Sequence, residues 1–379
     1  MSRPGPKAAF AVLSCLVFLS GCSATATTKR PNPARSPATS PSAKEPSPSS
    51  IPTAEPLIVV SPNSQVAYPV YDVLNTDGSQ EWSINSASLA KQEGGTASEQ
   101  TAGPNMLIWI NPGGSYVGAP PLSTAWVFGA TGAVVGTGMG PAGNDSPNPS
   151  GTAWAWSDAA PCESAGSCSG AVWEAGVGVA PHIVWNWQLP AMERVQVVGW
   201  SSKGVVVADQ PTGICGRADS FSTGLLDTAT GTVAQIIGPG WDVLDVQGDI
   251  ATALNLSNSA PTLLVKMLGS GGFSRTYVAP QGWAFIDASV SPDGSHVAGT
   301  LFNKALGCGG PTAAYETMLV SNKTGLSTTL PGVGCEGWVG DTQMISSEPI
   351  VGSPSPISLV NLSGQGSVIV TGYFIGVLS

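Results

Sequence analysis

The histidines, serines and carboxylates are the side chains through which this 379-residue chain could do chemistry. Nucleophilic catalysis needs a base, usually histidine, and the chain has two, His182 and His296. His296 follows the turn Ser291-Pro292-Asp293-Gly294, where we expect a solvated hairpin position, and no G-x-S-x-G string accompanies either histidine. A pair of carboxylates could still converge, but no spacing indicates one. The sequence therefore predicts no catalytic residue.

Three strings imitate catalytic or nucleotide-binding motifs. Ser88-Leu89-Ala90-Lys91 and Lys323-Thr324-Gly325 match boxes of penicillin-recognising enzymes, but the order of the boxes is wrong and we interpret K-T-G as a hairpin turn. Gly332, Gly334 and Gly337 spell G-x-G-x-x-G without the βαβ unit that would hold a pyrophosphate. No C-x-x-C pair supports a zinc site. The sequence thus predicts no cofactor and no metal.

Tryptophans are concentrated in the middle of the chain. Trp154 and Trp156 form W-A-W, and Trp185 and Trp187 form W-N-W. Because side chains alternate along a strand, each pair lies on one face. One interpretation is an aromatic platform for a glycan or an apolar ligand. The other, which we favour, is packing between neighbouring structural units, because large aromatic side chains dominate such cores.

The first 22 residues form a targeting segment. Arg3 and Lys7 precede an apolar run from Ala8 to Ser20, which is too short to span a bilayer. The segment ends in Leu19-Ser20-Gly21-Cys22, which resembles the bacterial lipobox. The resemblance implies export, lipid attachment at Cys22 and anchoring to the outer face of the cytoplasmic membrane. An ordinary secretory signal with a chance cysteine is the alternative.

Export places the other cysteines of the mature chain in a compartment that permits disulfides. We predict two bridges and one free thiol at Cys215, although the sequence leaves the connectivity open. The predicted bridges join Cys162 with Cys168 and Cys308 with Cys335.

Composition divides the chain into a signal segment (1–22), a tether (23–56) and one folded domain (57–379). The tether is rich in Pro, Ser and Thr, which favours a disordered or extended conformation. Six of the 14 basic residues precede residue 57, whereas 22 of the 24 acidic residues follow it. This strongly acidic balance repels phosphate backbones and argues against nucleic acid as a partner.

The folded domain repeats a strand-turn-strand unit, seen most clearly at residues 284–303. Its turn contains Pro292-Asp293-Gly294, and residues 195–209 repeat the pattern. The 48 Gly and 32 Pro residues, with 10% charged residues, favour many short strands. Units of about 46 residues are typical of four-stranded propeller blades. We predict starts near 57, 103, 151, 195, 241, 284 and 334, hence an all-β propeller of seven blades with four antiparallel strands each; six blades is the alternative.

The repeated S-P-D-G unit with its flanking strands resembles the repeats of TolB-like and WD40-like β-propellers of bacterial envelopes, most clearly over residues 195–345. The resemblance implies a non-enzymatic binding or assembly platform; a hydrolase or lyase acting on an envelope glycan is the alternative. We expect a monomer whose partners are the membrane and an envelope protein or glycan. In a blade, the tight turns lie on one face, and the five cysteines map to the opposite face.

Overall fold

The computed structural model describes most of the domain that follows the tether. The described residues are 55–63, 66–90, 96–111, 122–141, 145–159, 167–191, 193–211, 222–255, 261–269, 271–303, 315–347 and 354–379. The signal segment, Cys22 and nearly all of the tether lie outside these ranges. No helix in the described ranges is long and apolar enough to cross a membrane.

The described residues form antiparallel sheets of consecutive strands, which we call blades. Each complete blade has strands a to d, with strand a innermost. The first blade contains three strands from the start of the domain, and the next two blades have four each. These strands are β1 (Leu57–Ser61), β2 (Val70–Leu74), β3 (Gln80–Asn85); β4 (Thr96–Ala102), β5 (Asn105–Asn111), β6 (Ser123–Gly129), β7 (Val134–Gly140); β8 (Asp145–Pro147), β9 (Ala153–Ala159), β10 (Ser167–Gly176) and β11 (Val179–Pro190).

Blades 4 to 7 follow in the same order. Their strands are β12 (Glu193–Ser201), β13 (Gly204–Pro211), β14 (Ser222–Asp227), β15 (Thr232–Ile237); β16 (Asp242–Gln247), β17 (Ile250–Asn255), β18 (Thr262–Met267), β19 (Ser274–Val278); β20 (Trp283–Val290), β21 (His296–Asn303), β22 (Tyr315–Ser321), β23 (Ser327–Pro331); β24 (Cys335–Val339), β25 (Gln343–Ser347), β26 (Ser355–Asn361) and β27 (Gly366–Leu378). A single turn of 3-10 helix, Ser86–Ser88, follows β3.

The last strand closes the ring of blades. The first part of β27 pairs with β26 as the outermost strand of blade 7, and its last residues pair with β1 as the innermost strand of blade 1. This shared strand joins blades 7 and 1 into one seven-stranded sheet beside five four-stranded sheets. The described residues therefore form an all-β propeller with seven blades, which confirms the predicted fold class.

Buried apolar side chains lie between blades rather than in one central core. Seven clusters are present among the described residues, and each joins two neighbouring blades. Cluster residues Ile58 and Val60 of blade 1 pack with Val339 and Ile357 of blade 7, so the closing contact is apolar as well as hydrogen-bonded. Because burial is the main driving force of folding, each blade depends on both of its neighbours.

The turns sort onto two faces of the propeller. The a–b and c–d turns lie on one face, which we call the tight-turn face, and include Gly294 and Gly325 with φ of 69° and 75°. Such positive φ values favour glycine. The b–c loops and d–a connections lie on the other face, which we call the loop-bearing face. Predicted unit starts at 195, 241, 284 and 334 fall within two residues of β12, β16, β20 and β24.

Candidate functional site

A β-bulge recurs in the innermost strands of blades 4 to 7. A bulge re-aims the side chains next to it, and bulges are common beside functional sites. Asp245 and Asp287 directly follow the bulged residues of blades 5 and 6, and Glu336 is the bulged residue of blade 7. We call these three residues the carboxylate cluster. The register shifts lie between Val197 and Gly199, Val243 and Asp245, Phe285 and Asp287, and Cys335 and Gly337.

Asp245 binds the neighbouring blade. Its Oδ2 accepts a hydrogen bond of 2.8 Å from the backbone N–H of Val290. Burial raises the pKa of Asp245 to about 6; the bond from Val290 opposes this shift and the charge of Asp287 adds to it. A carboxyl that titrates near pH 6 suits general acid or base catalysis. However, its oxygen already serves the packing of blade 5 on blade 6.

Glu336 is the bulged residue of blade 7. Surrounding protein groups partly desolvate the carboxyl of Glu336, which raises its pKa although the side chain stays in contact with solvent. The hydroxyl of Ser347 donates to Oε1 of Glu336 at 3.2 Å, which lowers the pKa, and the charge of Asp287 raises it. Both Glu336 and Asp287 remain exposed to solvent. The influence of Asp287 on two neighbours indicates that the three carboxylates share one electrostatic environment at the inner strands.

A second carboxylate contact joins blades 1 and 2. The hydroxyl of Tyr71, which is fully buried on β2, donates to Oε2 of Glu99 at 2.6 Å. Burial raises the pKa of Glu99, and burial together with the bond to Glu99 raises the pKa of Tyr71. This contact crosses the blade interface as the Asp245 contact does, so it stabilises packing.

Cys335 contradicts one predicted disulfide. It is a free, buried cysteine at the start of β24, so the predicted bridge to Cys308 is wrong in this structure. Burial raises the pKa of the Cys335 thiol to about 12, and its Sγ donates to the carbonyl oxygen of Gly337 at 3.5 Å. A thiol that remains protonated at neutral pH is a poor nucleophile.

The other cysteine predictions stay open. Cys168 is buried at the start of β10 and belongs to the cluster between blades 3 and 4. Its predicted partner Cys162, together with Cys215 and Cys308, lies outside the described residues, as does the predicted lipid attachment site Cys22. The pairing of Cys162 with Cys168 therefore remains a prediction.

The four tryptophans predicted as a candidate platform are mostly core residues. Trp154, Trp156 and Trp187 are 0%, 5% and 4% exposed, and Trp185 is half-buried against the same apolar clusters. This burial contradicts an open ligand platform at the first three residues. The favoured interpretation, packing between blades, explains the pattern: the W-A-W residues lie in the cluster between blades 2 and 3, and the W-N-W residues in the cluster between blades 3 and 4.

The two histidines lie off the innermost strands. His182 is exposed on β11, the outermost strand of blade 3. His296 begins β21 and is half-buried rather than solvated, because its ring stacks 6.2 Å from that of Trp338. Its Nδ1 lies 2.7 Å from Oγ of Ser295. Neither histidine joins the carboxylate cluster by a described hydrogen bond.

The motif imitations have structural explanations. Lys323-Thr324-Gly325 forms the turn between β22 and β23, as predicted. Gly332 and Gly334 lie in the connection before β24, and no helix follows them. Within the described ranges, His, Cys, Asp and Glu side chains form no group suited to holding a metal ion.

Comparison with known proteins supports the fold alone. No family model matches the sequence. No curated protein matches it either. Among solved structures, a prolyl oligopeptidase B from Galerina marginata is similar at 10% identity and a TM-score of 0.55, over 83% of this chain and 48% of that one. The chain thus spans about half the length of the prolyl oligopeptidase structures that it matches.

Two further solved structures match along most of their own length. An oligogalacturonate lyase in complex with manganese is 11% identical with a TM-score of 0.51, over 83% of this chain and 85% of that one. The β-propeller domain of the Trilobed protease from Pyrococcus furiosus is 9% identical with a TM-score of 0.50, over 84% and 95%. That domain is described as having an open velcro topology, whereas β1 and β27 close this ring. At such identities the likeness shows a β-propeller.

Sequence reasoning missed the carboxylate cluster. Asp245 and Asp287 each follow two apolar residues, Val243-Leu244 and Phe285-Ile286, at the same position of successive repeats. Comparing the innermost strands for this run of two apolar residues before an aspartate would have found the pair, whereas aligning the a–b turns would not, because the hairpin of blade 6 is longer than that of blade 5. Glu336 is displaced by one residue along its strand, because it is itself the bulged residue.

Proposed function

We propose that this protein is an exported bacterial lipoprotein, anchored through Cys22 to the outer face of the cytoplasmic membrane. Its propeller, of the TolB-like or WD40-like kind, acts as a non-enzymatic binding or assembly platform for an envelope protein or glycan. The protein works as a monomer and does not bind nucleic acid.

The observation that carries the platform proposal is the use of the acidic side chains within the fold. Asp245 binds the backbone of blade 6, Glu99 accepts from Tyr71 of blade 1, and Glu336 accepts from Ser347. Catalytic carboxylates need free oxygens that face a substrate. The first two contacts join neighbouring blades and the third joins two strands of blade 7, so these carboxylates favour a rigid scaffold over a reaction centre.

The position of Pro56, the last residue before the propeller, supports presentation of the loop-bearing face. A Cβ built on Gly340, in the a–b turn of blade 7, would lie 3.8 Å from Cγ of Pro56, so the chain enters the propeller on the tight-turn face. The predicted partner surface is the opposite face. Loops on a rigid scaffold are frequent binding sites.

A second candidate function, a hydrolase or lyase acting on an envelope glycan, is favoured by the carboxylate cluster. Enzymes that cleave glycans generally use two carboxyl groups, one as the acid and one as the base or nucleophile. Asp287 is exposed and raises the pKa of both Asp245 and Glu336. This proposal requires a glycan to reach Asp287 from the solvent side.

Fractionation of bacteria that express Cys22→Ala tests the anchor. We expect the wild-type protein in the membrane pellet and the variant in the soluble exported fraction, because one cysteine carries the lipid. The Cys15→Ala variant, changed within the signal segment, serves as the matched control and should stay in the pellet. Retention of Cys22→Ala in the pellet would contradict the anchor.

A glycan cleavage assay separates the two functions. Purified mature protein is incubated with envelope glycan, and new reducing ends are measured for the wild type and for the double variant Asp287→Asn, Glu336→Gln. The platform proposal expects no release by either protein. Release by the wild type that the double variant loses would favour the enzyme.

A further inference from the structure

Four exposed valines line part of the outer rim of the tight-turn face. Val134 begins β7, Val179 begins β11 and Val233 is the second residue of β15, so they lie beside the c–d turns of blades 2, 3 and 4. Together with Val135, which follows Val134, they are between 40% and 53% exposed. We call these four residues the apolar arc.

The apolar arc is continuous across the three blades. The backbone N–H of Gly178, in the c–d turn of blade 3, donates to the oxygen of Thr137 on β7 at 3.2 Å. A Cβ built on Gly231, in the c–d turn of blade 4, would lie 3.1 Å from the oxygen of Val184 on β11. The turns that carry the valines are therefore neighbours, and the valines form one surface.

This part of the tight-turn face is nearly free of charge. The a–b and c–d turns of blades 2 and 3 (103–104, 130–133, 148–152 and 177–178) contain no charged residue. The acidic residues at or next to the tight turns belong to blades 1 and 4 to 7, and are Asp77, Asp227, Asp249, Asp293 and Asp341. Because moving a charge out of water is costly, the apolar arc is the part of this face that leaves water most easily.

The chain enters the propeller on the same face. Pro56 lies beside Gly340, in the a–b turn of blade 7. The tether (23–56) reaches on the order of 100 Å when fully extended, so an anchor at Cys22 keeps the tight-turn face close to the lipid. Tethering raises the effective concentration of the two surfaces, and a weak apolar contact is then sufficient.

We propose that the apolar arc rests on the membrane surface, with its valines inserted among the lipid headgroups. This inference rests on the proposed lipid anchor. The strength of such a contact scales with the apolar area that it buries. The charged turns of blades 5 to 7 stay in water, and the loop-bearing face remains open to a partner.

Vesicles that capture the chain without its natural anchor test this contact. The mature chain with Cys22→Ala carries an N-terminal histidine tag and is captured on vesicles of phosphatidylethanolamine, phosphatidylglycerol and a nickel-chelating lipid. An environment-sensitive fluorescent amino acid replaces Val179, and nitroxide-labelled lipid serves as the quencher. We expect a blue-shifted emission that the nitroxide quenches, because position 179 leaves water.

Val278 is the matched control. It is a valine that is 60% exposed at the end of β19, an outermost strand as well, but on the loop-bearing face. The same fluorescent amino acid at position 278 should show neither the shift nor the quenching. With the probe at position 179, Val134→Asp should abolish the quenching, whereas Val278→Asp should preserve it.

Three results would overturn the proposal. The first is an absence of quenching at position 179, and the second is equal quenching at positions 179 and 278. The third is a blue shift that needs no vesicles and grows with protein concentration, because it would indicate a second copy of the chain. The tag replaces the lipid in this assay, so its outcome does not depend on Cys22, and a failure of the anchor appears only in the fractionation of Cys22→Ala.

Discussion

The interfaces among blades 5, 6 and 7 differ from the interface between blades 2 and 3 in how they satisfy buried polar groups. On the inner strands of the later blades, the protein supplies the partners, whereas Asn322 Oδ1 in the c–d turn of blade 6 has none among the described residues. Asp245 accepts from Val290 N, Thr252 Oγ1 donates to the oxygen of Ala288, and Thr300 Oγ1 bonds both the oxygen and the N–H of Cys335. In the earlier blades, Ser98, Gln100 Oε1 and Trp109 Nε1 have no such partner within the described chain.

The difference follows the strength of the sequence repeat. Thr252 lies opposite Asp245 in blade 5, and Thr300 lies opposite Asp287 in blade 6. The same Asp–Thr pair therefore occurs in both blades, and in each the threonine bonds the backbone of the next blade. Blade 2 has the polar innermost strand β4 (TASEQTA) and lacks this pattern. Blades that share the repeat sequence also share the contacts that it makes with the next blade. Blade 2, whose sequence has diverged, does not make these contacts.

The largest expected effect comes from Asp245→Asn. The folded carboxyl has a pKa of about 6 against an ordinary value of 3.8. As pH rises from about 4 to 6, the unfolded chain releases this proton first, so the wild type loses stability, by at most about 3 kcal/mol above pH 6. Asn keeps an acceptor for Val290 N, so the variant should be more stable near pH 8 and equal near pH 4 by urea unfolding.

Asp77→Asn is the control for that experiment. Hydrogen bonds from Ser79 lower the pKa of Asp77 on an exposed turn, which is the opposite direction. We therefore expect no gain in stability from this variant near pH 8. An Asp245→Asn protein that is less stable than the wild type at both pH values would show that the charge of Asp245 stabilises the interface.

Thr300→Val should have the next largest effect. Val keeps the shape of the buried side chain but leaves both the N–H and the oxygen of Cys335 without their partner. One intramolecular hydrogen bond contributes about 0.5–1.5 kcal/mol net, so the loss of two costs about 1–3 kcal/mol. We expect a lower urea midpoint with an unchanged slope. Thr300→Ser, which keeps the hydroxyl, should recover part of the loss; equal losses in the two variants would assign the effect to packing.

Ser98→Ala should have the smallest effect. The Ser98 hydroxyl has no partner among the residues that the structure describes, so its removal leaves none of them newly unsatisfied. We expect a loss under about 1 kcal/mol, below the cost of burying an unpaired group. Measured beside Thr300→Val under the same conditions, this variant tests the contrast between the two interfaces. A loss of stability as large as that of Thr300→Val would contradict the difference between the two interfaces.

The turns and the later blades could be predicted from the sequence because their information is local. Pro292-Asp293-Gly294 and Lys323-Thr324-Gly325 set the backbone at two turns of blade 6 regardless of the rest of the chain. The predicted starts near 103 and 151 instead fall on a–b turns. Strand β4 is too polar, and β8 too short, to be recognised from alternation.

The closure of the ring and the carboxylate cluster depend on contacts distant in sequence. Blade 1 takes its innermost strand from the other end of the domain, so the start predicted near 57 is the second strand of that blade. Asp245, Asp287 and Glu336 lie on three blades, each at or directly after a bulge. The positions of the bulges could not be predicted from the sequence, because no residue pattern marks them.

Site-specific photo-crosslinking in intact cells tests the platform proposal most directly. Gln281, in the connection between β19 and β20, is exposed on the loop-bearing face, and Lys323, between β22 and β23, is exposed on the tight-turn face. A photoreactive amino acid at Gln281 should give a discrete adduct with an envelope component, and one at Lys323 should give none. Adducts at Lys323 alone, or at neither position, would contradict a platform that binds through the loop-bearing face.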